Sequence, residues 1–157
     1  MKRHKASLHF LIIEDVKEHA LLIKEAVHAH DFLHDISSVN GSTQAWRMLY
    51  EFQQEDYLPH IIILDLNVGG MDARNFLKKM SEEETFASIP VLVLSSTGSE
   101  QDRDYVSAFP NCMYIVKPAG ILEFMNLINF ICNFWSKNKT MPDYNSLRDR
   151  FRGEIEK

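Results

Sequence analysis

What most constrains this chain is a pair of short runs, Ile61–Leu64 and Val91–Leu94. Each is four residues long, apolar at every position, and followed at once by a polar group, Asp65 or Ser95. A strand that faces water on one side alternates apolar and polar side chains, whereas a strand covered on both sides is apolar throughout. Four residues are also too few for an ordinary helix. Two such runs therefore call for a sheet with cover on both faces, which helices joining parallel strands provide.

The rest of the chain supplies those helices in the right order. Strands are predicted over Leu8–Ile13, Asp35–Val39 (the weakest), His60–Leu64, Pro90–Leu94 and Met113–Val116. Helical spacing is predicted over Lys17–Ala29, Ser42–Glu51, Ala73–Met80, Glu100–Phe109 and Ile121–Trp135, with Ser42 and Asp72 as N-caps. Strand and helix alternate five times, so the fold class is α/β, a doubly wound five-stranded parallel sheet. In such sheets the ligand site lies beyond the carboxyl ends of the strands.

Composition narrows the function classes. A chain of 157 residues fits one domain, and the net charge of −5 argues against non-specific nucleic-acid binding. No run approaches the ~20 apolar residues of a membrane span, and the apolar stretch after the basic N-terminus ends in Glu14-Asp15, unlike a signal peptide. Two cysteines, Cys112 and Cys132, with no CxxC spacing read as free thiols in or near the core of a cytoplasmic protein. His28, His30 and His34 read as solvated surface histidines.

The predicted strand ends gather Glu14-Asp15, Asp65, Ser95 and Lys117-Pro118 at one edge of the sheet. Taken singly, each has a plain reading: an acid capping the next helix, a serine opening a turn, a lysine reaching for water. Taken together, three carboxylates repel one another unless a cation lies among them. An all-oxygen set favours Mg²⁺, which keeps several waters and takes one or two carboxylates plus phosphate oxygens. A lysine opposite the metal suits a phosphoryl group, and Ser95 offers it a hydroxyl donor.

Glu14-Asp15, Asp65-Leu66-Asn67, Ser95-Ser96 and Lys117-Pro118, with Asp65, Ser95 and Lys117 spaced by 30 and then 22 residues, resemble the CheY-like receiver domain of two-component response regulators. The resemblance runs from about Leu8 to Trp135 and is nearest to the short single-domain regulators, whose last helix ends in an aromatic-Trp pair like Phe134-Trp135. It implies a flavodoxin-like strand order of 2-1-3-4-5. It also implies that Asp65 is the phosphoacceptor, fed by a histidine kinase or histidine phosphotransfer protein. Mg²⁺ would be held by Asp15, Asp65 and the Asn67 carbonyl, with Glu14 on its water shell. Lys117 would pair with Asp65 and its phosphoryl group, Ser95 would be the switch hydroxyl, and Tyr114 an aromatic that turns inward. Ser96 and Pro118 would belong to the flanking loops, and the family has a cis peptide at the Lys117-Pro118 position. No enzyme of other substrates is implied, and the signalling face would span Glu100 to Trp135.

Two departures concern the loop after Asp65, where the family has proline and glycine and this chain has Gly69 and Ala73. Ala73 must avoid positive φ or accept strain. Beyond the receiver, taken as residues 1–136, lies a segment, 137–157, with six Lys or Arg against four acids. There Tyr144, Leu147, Phe151 and Ile155 recur at near-helical spacing, so an extra helix is expected, too small for a separate output domain. A homodimer through the Glu100–Trp135 face or the tail is an open partner; nucleic acid and membrane are not expected. The alternatives are a receiver-fold interaction module that no longer uses phosphate, or a flavodoxin-like small-ligand binder or hydrolase. The intact set of site residues argues against the first, and the missing phosphate-cradling loop against the second.

Overall fold

A computed structural model describes residues 7–31, 33–66, 73–138 and 140–142. The elements are β1 (His9–Ile13), α1 (Lys17–His30), β2 (Asp35–Val39), α2 (Ser42–Gln54), β3 (Ile61–Asp65), α3 (Ala73–Glu82), α4 (Glu84–Ala87), β4 (Val91–Ser95), α5 (Glu100–Ser107), β5 (Cys112–Val116) and α6 (Ile121–Asn138). All strand pairs are parallel, in the order β2-β1-β3-β4-β5. The expected topology is therefore the observed one.

Side-chain alternation along the strands divides the core into two layers. Phe10, Ile12, Ile61, Ile63, Leu92 and Leu94 face α1 and α6, where Ile23, Val27, Phe124 and Ile128 meet them. Leu11, Ile13, Ile62, Leu64, Val91 and Val93 face the other side, against Trp46 and Leu49 of α2, Phe76 of α3 and Val106 of α5. The middle residues of β1, β3 and β4 are all apolar because each alternate residue has its own helix layer to enter. β2 lies at the sheet edge, and its sequence DISSV is the least buried of the strands.

Several local expectations need correcting. Ser42 is not the cap of α2: Gly41 holds that place with extended φ of −170°, and Ser42 is the first helical residue, fully buried. Asp72 lies outside the described residues, as do Asn67, Gly69 and the expected tail helix. The short α4 was not foreseen; a four-residue turn shows no periodicity, and buried Phe86 anchors it. Among the described residues no peptide bond is cis, so the bond before Pro118 is trans, and only Asp56 among non-glycines has positive φ. Ala73 thus escapes strain by opening α3 in helical conformation, buried against its neighbours.

The histidine expectation fails at His34, while His28 and His30 are partly exposed. His34 is 5% exposed and forms a chain of hydrogen bonds. The Leu8 backbone N–H donates to His34 Nδ1 at 3.0 Å, so the neutral ring must carry its proton on Nε2. That N–H is 3.0 Å from His30 Nδ1, which accepts it, and Cys132 Sγ lies 3.7 Å away. His30, His34 and Cys132 are close enough to share a metal ion. Its surroundings do not suit one, however: a ligating histidine donates its other N–H to an acceptor, and here the Leu8 N–H, a donor, faces Nδ1. The cluster instead ties the start of β1 to the end of α1 and to α6. Replacing His34 with alanine strands the buried Leu8 N–H, and chemical unfolding should show a loss of about 1–3 kcal/mol.

Burial also pulls His34 below its ordinary pKa of 6.5, with His30 adding to the effect, and burial lowers His60 likewise. A depressed folded pKa means the unfolded chain takes the proton first. This share of stability is present above about pH 6.5 and falls away as pH drops below it. The two thiols are free as expected, and burial pushes both up to about 12, which leaves them unreactive.

Candidate functional site

Parallel strands in register deliver their C-terminal residues to one edge. β1 continues into Glu14, where the Glu14 N–H bonds the Val39 carbonyl at the end of β2 (3.0 Å). β3 ends on Asp65, and the Leu66 N–H bonds the Leu94 carbonyl at 2.9 Å. β4 ends on Ser95, whose carbonyl accepts the Lys117 N–H at 2.8 Å. Four of the residues singled out from sequence thus start from backbone that is still hydrogen-bonded to the sheet.

At the centre sits the Lys117 ammonium. It donates to Glu14 Oε2 at 3.0 Å, to Asp65 Oδ2 at 3.1 Å and to His19 Nδ1 at 2.8 Å. Residues 14, 65 and 117 are brought together although 103 positions separate the first from the last. Asp15, next in the chain, is exposed at the rim; with Glu14, Lys17, Ser38 and Asn40 it borders a groove of about 470 Å³. Ser95 is fully buried, and its Oγ lies 3.3 Å from both the Thr97 hydroxyl and the Thr97 N–H. Ser96 is exposed and Pro118 buried.

Glu14 shows what this crowding does. It is 3% exposed, and its carboxyl is pushed from 4.5 up to about 7, by burial first, then by Asp65, with Lys117 pulling the other way. A raised folded pKa means the folded protein holds the proton more tightly than the unfolded chain. This contribution to stability is complete below about pH 4.5 and lost as pH rises through about 7. Urea unfolding across that range should show it, Glu14→Gln should abolish it, and a divalent cation should diminish it by supporting the ionised form. The donor set fits such a cation: converging carboxylates from Glu14 and Asp65, Asp15 beside them, and one lysine too few to balance all three.

Tyr114 is 2% exposed on β5, with its hydroxyl buried and without a hydrogen-bond partner among the described residues. The Arg103 guanidinium stands 5.5 Å from its ring centre. The ring therefore already lies inward, at the wall of a cavity of about 370 Å³ that Arg103, Val106, Phe109 and Pro110 help to line.

Among the described residues, His19 is the member of the acid-lysine cluster that the sequence reading missed. A signal was there: it lies in the first turn of α1, directly after Glu14-Asp15. Helical side chains lean back toward their own N-terminus, so a first-turn histidine points at the strand ends.

Comparison with known proteins identifies the family. The family model described as the response regulator receiver domain matches residues 10–129. The response regulator Rcp1 of Synechocystis sp. is 27% identical over 139 residues, covering 84% of this chain and 91% of that protein. A probable methanogenesis regulatory protein, FilR2, of Methanothrix harundinacea is 29% identical over 129 residues, covering 80% of this chain and 81% of its own. Among solved structures, the phosphorylated cyanobacterial phytochrome response regulator RcpA superposes with a TM-score of 0.75 at 28% identity, over 87% of this chain and 99% of that one. The Mn²⁺-bound form of Rcp1 gives 0.71 at 25% identity, over 86% and 99%. With a matching family model across most of its length, a sheet of the same order and an acid-lysine cluster at the carboxyl edge, this chain belongs to the receiver domain family of two-component response regulators.

Proposed function

We propose that the chain is a Mg²⁺-dependent phosphoacceptor that takes a phosphoryl group on Asp65 from a phosphohistidine of a sensor kinase or phosphotransfer protein. The observation that carries this is the Lys117 ammonium, bonded at once to Asp65 Oδ2 and Glu14 Oε2. An Asp65 oxygen attacks phosphorus, a P–O bond forms and the P–N bond of the donor breaks; its electron pair stays on the donor ring, which carries a proton on its other nitrogen and so leaves as neutral imidazole. Phosphoryl transfer passes through a loose transition state, so the protein positions groups and neutralises charge. Mg²⁺ held by Asp15, Asp65 and the Asn67 carbonyl, with Glu14 on its water shell, would supply the second cation. The phosphorylated RcpA and Mn²⁺-bound Rcp1 forms support the reading by similarity.

The added group brings about −1.5 to −2 charge, which draws Lys117 and the Ser95 hydroxyl toward it. Ser95 must then release Thr97, and the Tyr114 side of β5 repacks. We assign the outgoing contact to the surface of α5, β5 and α6. On this reading residues 1–136 are the receiver and 137–157 a C-terminal extension. Incubation with Mg²⁺ and a small phosphodonor, followed by intact mass measurement, should give one phosphoryl adduct. No adduct at any Mg²⁺ concentration would overturn the proposal.

A further inference from the structure

An ammonium group has three hydrogens and no lone pair, so it makes three strong hydrogen bonds and no more. In this protein all three of Lys117's are taken, by Glu14, Asp65 and His19. A phosphoryl oxygen on Asp65 can bond Lys117 only if one of them lets go. The three are not equal. The Glu14 side chain is 1% exposed and that of Asp65 8%, whereas the His19 side chain is 47% exposed, so bulk water replaces a lost partner most readily at His19. Glu14 is also held by a second bond, since its Oε1 accepts the Val16 N–H at 3.2 Å.

We infer that His19 is a positioning residue, whose Nδ1 holds the third ammonium hydrogen of Lys117 in the resting protein and yields it to the phosphoryl oxygen. This inference rests on the reading of Asp65 as phosphoacceptor and adds the resting partner that must be displaced. His19 Nδ1 must be the acceptor in the contact, because Lys117 has nothing but donors. The same nitrogen stands 3.6 Å from Glu14 Oε1, so the ring lies over the mouth of the acid pair as well as over the lysine. His19 thus keeps the ammonium extended toward the acids before any phosphoryl group arrives, and it opposes, by one exchangeable bond, the move that completes the active form.

The test uses the full chain with Mg²⁺ and beryllofluoride as the phosphoryl mimic. In His19→Ala the competing acceptor is gone and water takes its exposed place, so affinity for the mimic should rise about two- to tenfold, the range of one typical net hydrogen bond. His19→Asn returns an oxygen to nearly the place of Nδ1 and should restore the parent affinity. In a Lys117→Ala background, His19→Ala should change nothing. A structural effect of His19 would persist without the lysine and would not be rescued by asparagine, so either result overturns the inference, as does an unchanged affinity in His19→Ala. The ¹⁵N resonance of His19 Nδ1 should move when Lys117 is replaced, and move the same way when the mimic is added to the parent. A shift with the first and not the second also refutes displacement. If the parent fails to bind the mimic at all, the phosphoacceptor reading falls first; if it binds and His19 is indifferent, only this inference falls.

Discussion

Asp65→Asn should abolish the phosphoryl adduct completely while leaving the fold intact. The carboxylate oxygen is the nucleophile, and an amide oxygen is far too weak to replace it. Asparagine keeps the shape and still offers Lys117 an oxygen at the end of β3, so the thermal midpoint should not fall below that of the parent. A second readout separates charge from chemistry. Asp65 is one of the causes that hold Glu14 up near 7. With the neighbouring charge removed, a carboxyl ¹³C titration of Glu14 should show it moving down, though burial keeps it above 4.5. An adduct that survives in Asp65→Asn would mean that another side chain carries the phosphoryl group. A Glu14 titration that stays in place would mean that the two carboxylates do not feel each other.

Lys117→Ala should have the next largest effect, on rate and on stability alike. Removing one preorganised donor at a charged reacting group lowers rate by about a hundredfold or more, so phosphoryl acceptance should become slow without ceasing. The phosphorylated variant should fail to reach the activated state, because nothing links the new charge on Asp65 to the end of β5. Its spectrum with the mimic bound should match the resting parent. Breaking a buried ion pair by deleting one partner costs roughly 3–5 kcal/mol in general. Here the loss should be largest above pH 7 and shrink toward acid, because Glu14 can take up a proton when its counter-charge is gone. Unfolding midpoints at pH 5 and pH 8, with and without Mg²⁺, would show this pattern. A variant that binds its partner like the parent, or that loses the same stability at both pH values, would refute the role given to Lys117.

The sequence revealed those parts of the structure that rest on repetition. Ile61–Leu64 and Val91–Leu94 could only be strands buried on both faces, and once five strand-helix repeats were in place the carboxyl edge followed, with Glu14, Asp65, Ser95 and Lys117 on it. What escaped was set by single tertiary contacts. His34 looks solvated beside other polar residues, yet the Leu8 N–H and the Phe10 ring, the two ring centres 5.6 Å apart, draw it inside. Gly41 takes the cap from Ser42 because the backbone there is extended and Ser42 is needed in the interior. α4 is too short to carry a period. His19 was hidden for a different reason: its partner lies 98 residues away, so its place in the first turn of α1 becomes telling only once the strand ends are known to meet there.

The hydrogen bonds that carry the sheet one step past its strands have a mechanical consequence. Glu14, Leu66 and Lys117 each give their backbone N–H to a residue of the adjacent strand. The platform under the reacting atoms is therefore as stiff as the sheet itself, and a change of state there has to be made of side-chain torsions. Lys117 can swing about its own carbon chain but cannot retreat without dragging Ser95. Because the two are joined by a main-chain bond, the group that senses charge and the group that answers it share one frame of reference, and a movement smaller than a bond length at Asp65 need not be lost in slack before it reaches β5.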